Sequence, residues 1–255
     1  MDLHDAARLL GVHYQTAYKW VRSGELPAVM VRGRYRIDSK AVESAGKRRD
    51  APAKPRPLQP RAGGDQLRSR IYSHLVAGNE REARKQIARL LDEGWTLSSA
   101  AQEFLVPALR RIGEEWSNGQ VSVAVEHRAS ATVERIVGEH HPAPRGRRRG
   151  TAVVATPSGE RHSLPALLAT VALREDNWHV HHLGADIPLE DLVDFCAAQG
   201  VDLAVLTVTT PSNERAAVKG AEMLLRVGVP ALVGRPDATL DDLRRLARES
   251  RAAAV

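Results

Sequence analysis

The stretch Ala155-Thr156-Pro157-Ser158-Gly159-Glu160-Arg161-His162 decides the fold of the C-terminal half of this chain. The apolar run 151–155 leads into it, and a helix-like apolar segment, 164–173, follows it. A histidine in a glycine-containing turn after a first parallel strand lies where open α/β sheets bind ligands, because neighbouring loops diverge there. We therefore interpret His162 as a cofactor ligand.

Strands and helices alternate throughout the rest of this half. The pattern predicts strands at 151–156, 178–183, 202–208 and 229–233, and helices at 163–174, 189–199, 213–227 and 239–250. Alternation at this spacing is typical of a doubly wound parallel sheet with helices on both faces. Gly234 ends the fourth strand, at the same ligand-facing edge as His162.

The segment before this half has helical periodicity. It predicts helices at 66–77, 80–92, 97–116 and 122–140, with Asp65 and Ser98 as caps. Short connections favour an up-down four-helix bundle. Trp116 ends the third helix, and Glu126 and His127 follow early in the fourth, so we expect them near one another. Such a group is either a hydrogen-bonded core cluster or part of a binding site.

The N-terminal segment has the pattern of a winged helix-turn-helix. Residues 3–10 and 12–22 predict two short helices, and 26–37 predicts two short strands around Arg32-Gly33. Exposed positions of the second helix and the wing carry side chains that bond base edges or phosphates. The candidate DNA-binding residues are Tyr14, Gln15, Thr16, Lys19, Arg22, Arg32, Arg34 and Arg36. The alternative is a small helical subdomain with scattered surface charge.

Charge supports the DNA-binding interpretation. Residues 1–62 hold 13 Lys/Arg against 6 Asp/Glu and carry +7, whereas the remaining residues carry −1. The cationic surface therefore belongs to the N-terminal part, as a polyanion would require. One cysteine, Cys196, excludes an internal disulfide framework and favours a reducing cytoplasm. No run reaches the ~18 to 20 apolar residues of a membrane span, and no nucleophile-base-oxyanion set indicates an enzyme.

Three further segments leave alternatives open. The Pro/Arg-rich segment 46–64 predicts an extended linker, which is either a solvated tether or a tether with a secondary electrostatic role on phosphates. The basic connector 142–150 is either a solvated loop or a contact to DNA or to a cofactor phosphate. His179, His181 and His182 resemble metal ligands, but nothing at a sensible spacing completes a site, so we expect no metal there.

The motifs together resemble known families. The pattern of residues 3–37 resembles the winged helix-turn-helix of the MerR and excisionase families. The segment 112–130, with a Trp, nine residues and then Glu-His, resembles the bundle of the CarH/LitR-type cobalamin-dependent photoreceptor repressors. The C-terminal half resembles the Rossmann-like cobalamin-binding domain, whose fingerprint has Asp/Glu-x-His-x-x-Gly, a later hydroxyl-bearing segment and Gly-Gly.

The resemblance implies a role for each matching residue. Trp116, Glu126 and His127 would cover the upper, adenosyl-bearing face of the corrin. His162 would be the lower axial ligand of cobalt, with Glu160 setting its tautomer. The residues implied for the nucleotide tail are Thr207, Thr209, Gly234 and Arg235.

Three positions depart from the family pattern. Pro165 replaces the Gly after His162, and Arg235 replaces the second terminal Gly, where it either crowds the tail or pairs with its phosphate. Ser117 stands where the family often has a His that captures cobalt after light breaks the cobalt-carbon bond. Ser117 cannot do so, which leaves as substitutes His127, His140 and His141.

The function expected from the resemblance is transcriptional repression in the bacterial cytoplasm, at the nucleoid. Adenosylcobalamin would assemble dimers into a tetramer in the dark, and light would dissociate the tetramer from its DNA operator. The alternatives are a regulator with a different or additional tetrapyrrole, or with no corrinoid, and a corrinoid shuttle in methyl transfer. The expected domains are the winged helix-turn-helix at 1–45, the linker at 46–64, the bundle at 65–141 and the cobalamin-binding domain at 142–255.

Overall fold

A computed structural model describes residues 1–10, 12, 14–22, 24–31, 34–50, 64–140, 142, 147–235 and 237–253. The chain divides into two compact units, Met1–Pro57 and Leu58–Val255. Several residues named above lie outside the described ones, namely Arg32, Gly33 and His141. Among the described residues, no helix is long and apolar enough to cross a membrane.

The first unit contains the two helices and the two-stranded wing that the sequence predicts. Its elements are α1 (Leu3–Leu9), α2 (Tyr14–Arg22), the antiparallel strands β1 (Ala28–Val31) and β2 (Arg34–Ile37), and α3 (Ser39–Asp50). The Asp2 side chain caps α1 by accepting from the backbone N–H of Asp5 at 2.9 Å. A small apolar core joins the helices to the wing through Leu3, Ala6, Ala7, Leu10, Ala17, Leu26, Ile37, Val42 and Ala45.

Helix α3 was not predicted, and its last five residues, 46–50, lie in the segment expected to be an extended linker. Asp38 starts this helix, because its Oδ1 accepts from the backbone N–H of Lys40 at 2.9 Å. Val42 and Ala45 then attach the helix to the core. The apolar face is only two or three small residues wide, so its periodicity is weak in the sequence. Residues 51–63 lie outside the described part of the chain.

The second unit begins with the bundle. Its elements are α4 (Gly64–Ala77), α5 (Glu80–Asp92), α6 (Leu97–Ala100), a π-helical segment (Ala101–Leu105), α7 (Val106–Ser117) and α8 (Val123–Glu139). The single helix predicted at 97–116 is therefore interrupted. Pro107 follows the π segment; it has no N–H, and its ring would clash with the carbonyl of Glu103 in a regular helix. The wider turn relieves this clash.

Both predicted caps of the bundle are wrong. Thr96, not Ser98, caps α6, and its side chain accepts from the backbone N–H of Ser99 at 3.2 Å. Ser98 is buried and instead bonds the Glu175 carboxylate. Asp65 lies inside the first turn of α4, which begins one residue earlier, and pairs with Arg68 at 2.7 Å.

The sheet follows the bundle and is parallel throughout, as predicted. Its elements are β3 (Thr151–Pro157), α9 (Ser163–Glu175), β4 (His179–Ile187), α10 (Leu189–Gln199), β5 (Leu203–Thr207), a 3₁₀ turn (Pro211–Asn213), α11 (Glu214–Arg226), β6 (Ala231–Gly234) and α12 (Leu240–Ala253). The strand order is β4-β3-β5-β6. The order reverses direction between β3 and β5, so the loops after these two strands diverge and open a crevice.

Helix α9 belongs to two apolar cores. Its residues Leu164, Leu168 and Val171 pack into the core of the bundle. The opposite side of the same helix packs on the sheet, through Ala166, Ala169 and Leu173. The bundle is therefore fixed against the helix that follows the β3 loop.

Candidate cofactor site and DNA-binding surface

The loop after β3 is held in one conformation by neighbouring backbone and side-chain groups. Gly159 has a φ of +88°, which favours glycine, and a Cβ there would lie 3.2 Å from Oδ1 of Asn213. Its N–H donates to Oδ1 of Asp186 at 2.7 Å. Thr156 donates its hydroxyl to the carbonyl of Glu160. The loop therefore presents Glu160 and His162 from a fixed backbone.

His162 lies at the N-terminus of α9, next to Glu160. Its Nδ1 lies 2.5 Å from Oε1 of Glu160, and its backbone N–H donates to the same oxygen at 3.2 Å. The His162 side chain is 58% exposed, whereas that of Glu160 is 1% exposed. Because Nδ1 is taken by the carboxylate, Nε2 is the ring nitrogen left for a ligand, and no hydrogen bond of the described residues engages it.

Glu160 also connects the β3 loop to the loop after β5. Its Oε2 accepts from the backbone N–H groups of Thr209 at 3.0 Å and Thr210 at 2.8 Å, and from Nδ2 of Asn213 at 3.3 Å. Burial raises the pKa of Glu160, but the hydrogen bonds from Thr210, His162 and Thr209 outweigh it and lower the pKa to about 2. The carboxylate is therefore ionised and accepts from Nδ1 of His162.

Thr210 and Asn213 were missed in the sequence. Thr210 donates through its backbone to Glu160, and its hydroxyl lies 3.5 Å from Nδ1 of His162. Asn213 also donates to the carbonyl of Gly159 at 3.1 Å. The available signal was the position of these two polar residues just after β5, at the switch point of the sheet, where ligand-binding loops lie. Thr209, predicted to offer its hydroxyl, contributes its backbone N–H to Glu160.

The four residues expected at the nucleotide tail lie at the ends of β5 and β6. Thr207 and Gly234 are paired across these strands. Thr207 is buried, and its Oγ1 has no hydrogen-bond partner. At Gly234 a Cβ would meet its nearest neighbour at 3.5 Å, an ordinary contact, so packing alone does not demand glycine there. Arg235 is exposed and lies 3.1 Å from Oε1 of Glu214.

The other two departures from the family pattern cause no disturbance. Pro165 is the third residue of α9, where its missing N–H is one that the helix leaves unpaired. Ser117, at the end of α7, donates its hydroxyl to the carbonyl of Glu114 at 2.8 Å. His140, one of the substitute ligands considered, bonds the carbonyl of Ile136 through Nδ1 at 3.0 Å.

The residues expected at the upper corrin face lie at one end of the bundle, where α7 ends and α8 begins. Trp116 is 49% exposed. Glu126 and His127 form a second Glu-His pair, with Nδ1 of His127 at 2.8 Å from Oε2 of Glu126. The His127 side chain is 75% exposed. His127 and His162 are thus two exposed histidines of the same kind. In each ring Nδ1 contacts a carboxylate oxygen, which leaves Nε2 as the nitrogen that could bind a ligand.

The three histidines of β4 form no metal site. His179 and His181 share a face, with ring centroids 4.8 Å apart, and His181 lies edge-on to Phe195. His182 points elsewhere, with Nδ1 at 3.1 Å from the hydroxyl of Thr170. Among the described residues no group of three or more His, Cys, Asp or Glu side chains could hold a metal ion.

The candidate DNA surface lies on α2 and the wing. Tyr14, Gln15, Lys19 and Arg22 are exposed, but Thr16 is half-buried beside the core residue Ala17, so it offers less surface than expected. Arg36 is exposed on β2. Arg34 begins β2, whereas Arg32 lies outside the described residues.

An aromatic row crosses the same surface and includes a residue missed in the sequence. The rings of His4 and Tyr14 stack at 4.3 Å, Tyr14 and Tyr18 at 6.4 Å, and Tyr18 meets Tyr35 edge-on at 6.0 Å. The row joins α1, α2 and β2, and Tyr18 is 39% exposed. The spacing of Tyr14 and Tyr18 by four residues was the available signal.

Two family models match this chain. The helix-turn-helix domain matches residues 1–45, and the B12 binding domain matches residues 67–139. The structure of the Methanosarcina barkeri monomethylamine corrinoid protein superposes with a TM-score of 0.62 at 15% identity, covering 73% of this chain and 99% of that protein. This likeness confirms the Rossmann-like α/β fold with its helical bundle.

Two relatives from Myxococcus xanthus are similar to this chain. The HTH-type transcriptional repressor CarA is 28% identical over 232 residues, which cover 81% of this chain and 76% of CarA. The HTH-type transcriptional repressor CarH is 34% identical over 122 residues, which cover 46% of this chain and 40% of CarH. Both relatives are repressors rather than enzymes, in agreement with the sequence-based expectation.

The residues at the sheet edge fit a corrinoid. An imidazole whose Nδ1 is fixed by a carboxylate offers Nε2, a nitrogen donor suited to cobalt. The buried hydroxyl of Thr207 lacks a partner and would gain one from a polar group that reaches the end of β5. Such an orphaned hydroxyl is uncommon in a closed core, and a ligand group at this strand end would satisfy it.

Proposed function

We propose that this chain, a regulator of the CarA and CarH type with a helix-turn-helix domain and a B12-binding domain, is a light-responsive repressor. In this proposal cobalamin, in its adenosyl form, lies between the bundle and the sheet. The N-terminal unit binds a double-stranded DNA operator. Bound cofactor promotes assembly of dimers or tetramers, and light acts on the cofactor to release the DNA.

The observation that carries the proposal is the Glu160–His162 pair at the switch point of the sheet. The ionised carboxylate orients the ring and favours the tautomer with a free Nε2. His162 would thus hold cobalt through Nε2. Cobalamin supplies the light absorption and the breakable cobalt-carbon bond, and the protein supplies ligation, shielding and an interface that depends on the state of the cofactor.

The upper face would be formed by the bundle end. Trp116 offers a large exposed ring, and His127 offers an imidazole oriented by Glu126. Ser117 bears no nitrogen donor, so at this end of the bundle His127, and not position 117, would be the side chain able to bind cobalt. Since its Nδ1 contacts Glu126, His127 would act through Nε2.

The deciding experiment loads the purified protein with adenosylcobalamin and follows its absorption, its size and its operator binding before and after green light. We expect cofactor-dependent assembly in the dark, and loss of assembly and of operator binding after illumination. If the protein takes up corrinoid but does not respond to light, the proposal of a photoreceptor fails, and the proposal of a cobalamin-binding repressor stands. A spectrum unchanged by corrinoid would remove cobalamin and favour another tetrapyrrole or a regulator without one.

A corrinoid shuttle in methyl transfer is the less favoured alternative. The likeness to a corrinoid protein concerns the fold alone, and a shuttle has no use for a basic winged helix-turn-helix. Operator binding by the purified chain would set the shuttle aside.

A further inference from the structure

A row of polar side chains runs along one face of α8. Glu126, Ser130 and Glu134 are spaced four residues apart, so they follow one another on the same side of the helix. Ser130 donates its hydroxyl to Oε1 of Glu126 at 2.8 Å, while Oε2 of Glu126 contacts His127. From Glu126 to Glu134 the helix rises about 12 Å. The row therefore leads from the bundle end towards the sheet.

The far end of this row meets the loop that bears His162. Ser163 donates its hydroxyl to Oε1 of Glu134 at 2.5 Å. Ser163 is the first residue of α9 and follows His162 directly. Both partners are half-buried, and the positive end of the α9 dipole favours a carboxylate at this place. Leu164 and Leu168 press the same end of α9 into the bundle core.

We propose that Glu134 is a positioning residue that fixes the His162 loop to α8. The same helix then carries His127 at one end and holds the neighbour of His162 at the other. A displacement of α8 at its His127 end would therefore displace His162 as well. The effect on cobalt ligation by His162 rests on the proposed function. The attachment of Ser163 to Glu134 does not, because it involves only residues of this chain.

The attachment is tested first on the cofactor-free protein by amide hydrogen exchange. Glu134→Ala and Ser163→Ala each remove the bond, and exchange within residues 159–163 should become about fivefold faster. Glu134→Gln keeps an acceptor oxygen and should stay close to the wild type. The double variant should be no faster than either single variant, because both act on one interaction. Ser163→Ala removes only a hydroxyl, so this variant still tests the attachment if Glu134→Ala does not fold.

A neighbouring residue on α8 gives the matched control. Arg135 pairs with Glu80 of α5 at the surface of the bundle, so Arg135→Ala should loosen the bundle without changing exchange in the His162 loop. Unchanged exchange in both Glu134→Ala and Ser163→Ala would overturn the inference. Equal acceleration by Arg135→Ala would also overturn it, since the effect would then be general loosening.

The second readout is spectroscopic and uses added cobalamin. The fraction of bound cofactor with imidazole on cobalt should fall in Glu134→Ala and Ser163→Ala and remain unchanged in Arg135→Ala. If the wild type takes up no corrinoid, the proposed function fails, while hydrogen exchange still decides the attachment. If the wild type binds corrinoid and neither readout changes in the variants, the positioning role fails and the proposed function stands.

Discussion

The Glu160 carboxylate orients the ring of His162 with one oxygen and anchors the loop after β5 with the other. Oε1 accepts from Nδ1 of His162 at 2.5 Å, and Oε2 accepts the backbone N–H groups of Thr209 and Thr210. One buried carboxylate thus joins the two loops that diverge at the switch point. The orientation of the His162 ring therefore depends on the loops after both β3 and β5, and not on the β3 loop alone.

Acid should destabilise the second unit through Glu160. Its pKa of about 2 lies below the usual 4.5, so its contribution is present above pH 4.5 and is lost as the pH falls towards 2. The shift corresponds to at most about 3 kcal/mol. Urea unfolding between pH 7 and pH 3 should show this loss, and Glu160→Gln should flatten the profile. If stability depended on pH as steeply in Glu160→Gln as in the wild type, Glu160 would not be the group responsible. Glu222 is exposed, so Glu222→Gln serves as the control.

His162→Ala should abolish the spectral signature of imidazole-bound cobalt. Because the side chain is 58% exposed, the cofactor-free protein should lose no more than about 1 kcal/mol of unfolding free energy. Absorption after cobalamin loading and urea unfolding measure the two effects. His179→Ala, a half-buried histidine of β4, should leave the spectrum unchanged. If His162→Ala kept the spectral signature of imidazole-bound cobalt, another residue would have to be the cobalt ligand.

Thr207→Val should separate stability from cofactor affinity. Replacing a buried hydroxyl that has no partner should leave the free energy of unfolding unchanged or raise it by about 1 kcal/mol. Cobalamin affinity should fall by about fivefold if the hydroxyl bonds the bound cofactor. The control is Thr170→Val, which removes the bonds of a buried hydroxyl to the carbonyl of Ala166 and to Nδ1 of His182 and should cost about 1 to 2 kcal/mol. Equal destabilisation by both changes would mean that Thr207 has a partner in the free protein.

Operator affinity should fall steeply with salt because the N-terminal unit neutralises phosphates. Arg36→Ala and Lys19→Ala should each weaken binding to any DNA sequence and reduce the slope of log K against log salt by about 1. Gln15→Ala should instead reduce discrimination between operator variants. Fluorescence anisotropy at several salt concentrations measures both. The bundle residue Arg81, which is 91% exposed, provides the control variant Arg81→Ala, and an equal effect there would relocate the basic surface.

The parallel sheet and its ligand-facing edge were predictable because they depend on local signals. Apolar runs of strand length separated by helical periods fix the alternation, and alternation fixes the edge at which His162 and Gly234 lie. Glu160 was predictable as a partner of His162 because the two residues are close in sequence. The position of Arg235 beside Glu214 was not, since that pair joins two elements whose relative placement the sequence leaves open.

The missed features depend on contacts between distant segments. Ser98 has the composition of a cap, but its partner is Glu175, 77 residues away, and only the packing of α6 on α9 brings them together. The attachment of Ser163 to Glu134 arises in the same way. Helix α3 was missed for a different reason: its buried side is made of few, small residues, so the hydrophobic periodicity is faint.

Since α9 contributes apolar side chains to both the bundle core and the sheet core, neither half of the second unit has a complete interior alone. A fragment that starts after α8 would expose Leu164, Leu168 and Val171 to water and tend to aggregate. Thermal unfolding of residues 64–253 should accordingly occur in a single step. Exchanging the bundle between relatives would therefore require α9 to be exchanged along with it, whereas the N-terminal unit has an apolar core of its own and could be exchanged separately.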